Sequence, residues 1–169
     1  MKNIIKFPLA VIAVFCTSML YGQQIGVINT QELMEVMPET KEAQTKLEEE
    51  AQRYSEILEG IQVEFNTKFA EYQRAGATLS DAVSQYQARE LNDLQNRYNE
   101  FQEMAQQDME VLQRQLMTPI FDKIDQTVNK VAKDNGIIIV LDTSTGVTIF
   151  VDETVPNLLP LVKRELGIQ

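Results

Sequence analysis

The 169-residue sequence predicts an α+β fold in which one long antiparallel helical hairpin, a coiled-coil arm, projects from a small β-body. Three observations predict it. Leu91, Leu94, Tyr98, Phe101, Ala105 and Met109, continued by Leu112, Leu116, Ile120, Ile124, Val128 and Val131, recur at steps of three or four. That spacing is a helical period and not a strand alternation. A second stripe, Leu47, Ala51, Tyr54, Leu58, Ile61, Phe65, Phe69 and Tyr72, lies on the other side of an Ala75-Gly76-Ala77 corner. Two narrow stripes facing each other across one turn make a helical pair. Short Ile- and Val-rich runs near both ends supply strands.

Residues 1–22 read as a cleaved export signal. Lys2 and Lys6 give a positive start, Leu9 to Phe15 is an apolar run too short to span a bilayer, and Leu20-Tyr21-Gly22 precedes a cleavage point. An uncleaved tail or short anchor is the alternative. Lipid attachment at Cys16 is disfavoured because Phe15 precedes it. Without the leader, the chain holds neither cysteine nor histidine, so thiol and imidazole chemistry are excluded. Without Lys2 and Lys6, 13 basic residues face 25 acidic ones, a net of −12. Nucleic acid and anionic membrane are poor partners for such a field.

From Gln23, residues 23–38 and 119–169 form the β-body and 39–118 the arm. Gln24 to Gln31 is the first strand, and Pro38 opens the first long helix, Glu39 to Arg74, roughly 54 Å long at 1.5 Å per residue. Thr78 with Asp81 resembles a capping box starting the second helix, which runs roughly 87 Å to Asn135. Folding about Gly76 pairs Phe65 with Gln87, Tyr54 with Tyr98, Ala51 with Phe101 and Leu47 with Ala105. Pro119 removes a backbone bond and predicts a kink where arm passes into body. Asn135-Gly136 stops the helix. Ile137 to Asp142 and Val147 to Asp152, joined by a Gly-containing turn, read as a β-hairpin. A terminal helix follows, with Asn157 as N-cap and Pro160 in its first turn, closing at Leu166-Gly167.

Fewer than about 70 residues lie outside the arm, a marginal core for three strands. The run from Ile137 to Leu141 is apolar at every position, which predicts a strand buried on both faces. Self-association would supply the missing cover, and Ile25, Val27, Ile137, Ile139, Leu141 and Ile149 are its candidate residues.

The chain resembles the Skp/OmpH family of periplasmic chaperones. The likeness covers the whole sequence: the leader, IGVINTQELM at Ile25 to Met34, the charged hairpin, and PIFDKIDQTVNKVAKDNGIIIVLDTSTGVTIFVD at Pro119 to Asp152. It implies a homotrimer whose helical arms surround a cavity and hold unfolded outer-membrane β-barrel proteins in the periplasm, without ATP or catalysis. Better-known members are similar in shape but basic. Here Lys68, Arg74, Arg89 and Arg97 stand among more numerous acids, which argues against lipopolysaccharide contact and leaves holding to apolar contact and confinement.

Candidate client-binding residues are those beside the stripes, Ile57, Val63, Tyr86 and Val111, with Phe69 and Tyr72 of the distal aromatic cluster. Scattered apolar surface and a plain helical seam are the ordinary readings of the same residues. Glu48-Glu49-Glu50 reads as solvated surface. Asp142 and Asp152 end apolar runs; lacking a nearby nucleophile or third ligand, they read as turn residues. No enzyme activity, cofactor or metal is expected. The competing reading is a structural coiled-coil spacer or envelope adaptor that binds a folded partner.

Overall fold

A computed structural model describes residues 24–76 and 79–168. The expected leader and the Thr78 half of the expected capping box lie outside them. In chain order the elements are strand β1 (Gln24–Ile28), helix α1 (Thr30–Val36), helix α2 (Pro38–Ala75), helix α3 (Asp81–Asp134), strand β2 (Ile137–Asp142) and helix α4 (Leu159–Glu165). Two compact units result. One comprises the described residues up to Met37 and from Asp122 on; the other is Pro38–Phe121.

The second unit is the antiparallel hairpin of α2 with α3. Tyr54 meets Phe101 edge-on with ring centroids 5.8 Å apart, and the Tyr72 and Ser84 hydroxyls lie 3.2 Å apart nearer the turn. The partners are therefore displaced by about one helical turn from the expected pairs, Tyr54 taking Phe101 in place of Tyr98. The cause is the connection. Helix α2 ends at Ala75 and α3 begins only at Asp81, with Gly76 at φ +40° and the Ser80 hydroxyl accepting from the Val83 amide at 3.4 Å. A longer loop moves the fold point toward the C-terminus.

The seam buries Ala43, Ile61, Leu91, Leu94 and Ala105. Ala51 and Phe69, counted in the stripe, are exposed. Helix α3 continues through Pro119. The ring leaves the Gln115 carbonyl without its helical donor, and one turn away the Thr118 hydroxyl donates to the Arg114 carbonyl at 2.7 Å.

In the first unit β1 and β2 pair in parallel, Val27 opposite Leu141. On its other edge β1 is met by residues 156–158: the Val27 amide donates to the Pro156 carbonyl at 2.9 Å, and the Leu158 amide to the Val27 carbonyl at 2.8 Å. Gly26 permits this approach, since a Cβ there would stand 3.3 Å from the Leu158 side chain and 3.2 Å from Ile137. Leu33, Met37, Leu158 and Val162 are fully buried around β1.

Three expectations are corrected here. The first strand ends at Ile28, and Gln31 lies in α1, whose N-cap Asn29 accepts from the Glu32 amide at 3.0 Å. The expected β-hairpin does not form. Ile137–Asp142 pairs with β1, whereas Val147 to Asp152 has no strand partner among the described residues. The run after Ile137 is not covered on both faces either: Ile138, Ile139 and Leu141 stay 53%, 47% and 42% exposed. A two-stranded sheet lacks the surface to cover them. The terminal helix forms where expected and Gly167 closes it at φ +73°, but its N-cap is Leu158 and not Asn157, whose carboxamide instead accepts from the Leu159 amide at 2.9 Å one residue before the cap.

Candidate functional site

Helical geometry divides the surface of the hairpin into two long sides flanking the seam, because each residue turns the side chain by about 100°. One side is charged. Glu64 and Arg97 stand 3.8 Å apart, Lys68 and Glu90 2.5 Å, and the Tyr54 hydroxyl donates to Asp108 at 3.2 Å. The Lys68 pKa is raised by its hydrogen bond to Glu90. Burial, aided by the Asp108 bond, raises that of Tyr54. Exposed pairs of this kind contribute little stability each, so their service is mainly to register.

The other side is poorer in charge, with Glu48 and Glu59 outward from its seam edge and Glu110 beside the groove. Gln62 on α2 and Gln95, Gln102, Gln106 and Gln113 on α3 line it, all exposed. Between them opens a groove of about 510 Å³ over Ala51, Leu58, Ala105 and Met109, with Glu110 its one charged lining residue. Small residues make the groove: Ala105 is buried in the seam opposite Ala51, where larger side chains would fill the gap.

The six candidate residues are not brought together. Ile57, Tyr86 and Val111 are 46%, 67% and 41% exposed and fall on the charged side, with Val83 and Met104. Val63 points directly away from the seam. Phe69 stacks on Phe65 at 5.9 Å and leans to the charge-poor side, 42% exposed. Tyr72 lies in the seam with its hydroxyl against Ser84. Looking for large apolar residues off the stripe passes over the charge-poor groove; its signal is glutamine at heptad spacing, Gln95 to Gln102 and Gln106 to Gln113.

Among the candidate association residues, Val27 and Ile137 are already covered by the chain itself. Ile25, Ile139 and Leu141 are about half exposed, and Ile149 is 99% exposed beside Phe150 at 79%. A cavity of about 400 Å³ opens between β2 and the C-terminal part of α3, lined by Ile28, Ile124, Val128, Ile138 and Val140 with Asp125, Lys133 and Asp142.

Asp142, the last residue of β2, and Asp152 each brace the turn that follows with their carboxylates. Asp142 takes the Thr30 hydroxyl at 2.5 Å, the Ser144 amide at 2.9 Å and the Thr30 amide at 3.3 Å. Partial burial alone would raise its pKa, but the hydrogen bonds from Thr30 and Ser144 outweigh it and the carboxyl is held below its ordinary value. Asp152 is lowered by the Thr154 hydroxyl and then its amide, at 2.7 and 3.0 Å. Among the described residues no group of His, Cys, Asp and Glu is placed to hold a metal ion, and no helix is long and apolar enough to cross a membrane.

The chain also resembles known proteins. The chain is similar to the chaperone protein Skp of Vibrio cholerae, 27% identical over 150 residues that cover 86% of this chain and 89% of the relative. It is 24% identical over 136 residues to Skp of Yersinia enterocolitica, covering 79% and 81%. Among solved structures, a protein of Caulobacter crescentus CB15 described as an outer membrane chaperone (OmpH-like) superimposes with a TM-score of 0.73 at 12% identity, over 84% of this chain and 82% of the other, a likeness of fold. The family model described as outer membrane protein (OmpH-like) matches residues 24–166. The chain therefore belongs to the OmpH-like family.

Proposed function

We propose that this protein is an exported, ATP-independent holdase that binds unfolded outer-membrane β-barrel proteins and keeps them from aggregating before membrane insertion. The observation that carries the reading is the OmpH-like match over residues 24–166, joined to a helical hairpin that leaves Ile57, Val63, Phe69, Tyr86 and Val111 between 41% and 67% exposed over its surface. Single apolar contacts of that size are weak. Many of them acting together hold a chain firmly yet release it segment by segment, which suits a process without fuel.

Self-association belongs to the same reading. The half-exposed Ile139 and Leu141 on β2, and the exposed Ile149 and Phe150, form more apolar surface than a β-unit of this size leaves to water without a partner. A second and third copy are the partners proposed, with β2 and the Val147–Asp152 segment joining a shared sheet. The acidic balance gives no basis for binding lipopolysaccharide or anionic membrane.

The test dilutes a urea-unfolded outer-membrane β-barrel protein into buffer containing residues 23–169, following turbidity and sizing the product by light scattering. Suppressed aggregation with a discrete complex is expected. Unchecked aggregation beside an intact oligomer would overturn the holdase reading in favour of an adaptor that binds a folded partner.

A further inference from the structure

We propose that the charge-poor side of the hairpin, centred on the groove over Ala51, Leu58, Ala105 and Met109, is where an extended segment of unfolded polypeptide lies, held through its backbone by glutamine amides. This rests on the holdase reading and narrows it to one side of one element.

Three observations converge on it. The first is the unequal distribution of charge. The side bearing Glu64, Lys68, Glu90 and Arg97 is bonded across the two helices, so a client there would have to displace ion pairs. On the charge-poor side the glutamines are exposed, and Glu110 alone is charged in the groove. In a chain of net −10, and −12 without the expected leader, the groove with its single charged residue is where a client with carboxylates of its own meets least repulsion.

The second is chemical. A primary amide offers two donors and an acceptor. An unfolded backbone offers an N–H and a C=O at nearly every residue, all in need of partners once water is displaced. Glutamines therefore recognise the one feature that all unfolded chains share, independent of side-chain sequence, while Leu58 and Met109 in the floor take up apolar side chains.

The third is spacing. Gln95 to Gln102 and Gln106 to Gln113 are both seven residues, about 10.5 Å along the helix axis. Three residues of extended chain cover about 10 Å. Gln102 to Gln106 is four residues, about 6 Å or two residues of extended chain, so a strand-like segment laid along this side meets an amide every two to three of its residues. A client whose native state is a β-barrel already favours that extended conformation.

The experiment places a photo-crosslinking residue at Gln106 or at Met104, two positions apart in sequence but on opposite sides of the hairpin, in the full mature chain. Each variant is mixed with a urea-unfolded outer-membrane β-barrel protein and irradiated. In parallel, Gln102→Glu with Gln106→Glu is compared with Glu90→Gln in the turbidity assay, with circular dichroism confirming helix content. The expected result is crosslinking to client mainly from position 106. The double Glu variant should lose holding about fivefold, with the loss shrinking in high salt, and Glu90→Gln should hold as the parent does. Crosslinking mainly from position 104 would overturn the assignment. So would a product at position 106 that joins two copies of this chain, which would make the groove a self-interface. Failure of the unmodified chain to suppress aggregation would overturn the holdase reading itself, and the assignment with it.

Discussion

The hairpin and the β-unit bury their apolar residues in opposite ways. Of the described residues, the longer Pro38–Phe121 unit buries six hydrophobic side chains, two of them alanines, spread along its seam. The β-unit buries eleven, including all four that are fully enclosed, Leu33, Met37, Leu158 and Val162. A seam that repeats each turn spreads its stability over many half-buried contacts, so no one residue is decisive. A core gathered around one strand concentrates it. The hairpin can therefore vary its outer sides without losing its fold, while the β-unit is committed to packing around β1 and leaves Ile139 and Leu141 of β2 half exposed.

The sharpest way to break this comparison is at β2. Replacing Ile139 and Leu141 with Asp should dissociate the oligomer outright, because a shared apolar interface cannot accept unpaired carboxylates. Light scattering that still reports an intact oligomer would refute the shared sheet. Next in size is a core truncation. Leu158→Ala should cost about 3 kcal/mol in urea unfolding, while Leu58→Ala in the half-buried seam should cost about 1 kcal/mol. Equal losses would erase the distinction between concentrated and distributed packing.

Asp142 offers a smaller effect with a pH signature. Its folded pKa lies below the ordinary 3.8, so its contribution is complete above that value and is lost as pH falls through the lowered one. Asp142→Asn should therefore cost about 2 kcal/mol near neutrality. It should also flatten the acid limb of stability between pH 4 and lower values, and an unchanged limb would mean other carboxylates set it. The smallest effect is expected on the charged side of the hairpin. Ile57→Ser with Val111→Ser should lower client holding about twofold with helix content unchanged. A loss matching that of the glutamine-groove variant would make the two sides equivalent.

Much of the architecture was legible because helical periodicity is local. The stripes through Leu47 and Leu91, the stop at Gly136 and the closing Gly167 depend on residues within one or two turns. So does Asn29 with Glu32, a cap-and-acid signal for α1 that competes locally with the strand pattern of Gln24 to Gln31. The side preferences of the hairpin are equally written in the spacing of Gln95, Gln102, Gln106 and Gln113, but they mean something only once the register of α2 against α3 is known. That register moved by a turn because the length of the Gly76–Ser80 connection, and not the stripes, decides it.

From local pattern and composition alone follow a long helical pair, a small apolar strand unit and a chain without histidine whose one cysteine lies in the expected leader. Tertiary structure alone decided which strands pair. Ile137–Asp142 and Val147–Asp152 look like adjacent strands of a hairpin, yet the first finds β1 from the far end of the chain in parallel, and residues 156–158 take the other edge of β1. The reason is that strand pairing is a competition among distant partners, settled by which arrangement buries Leu33, Leu158 and Val162 together, and no local pattern carries the outcome of that competition.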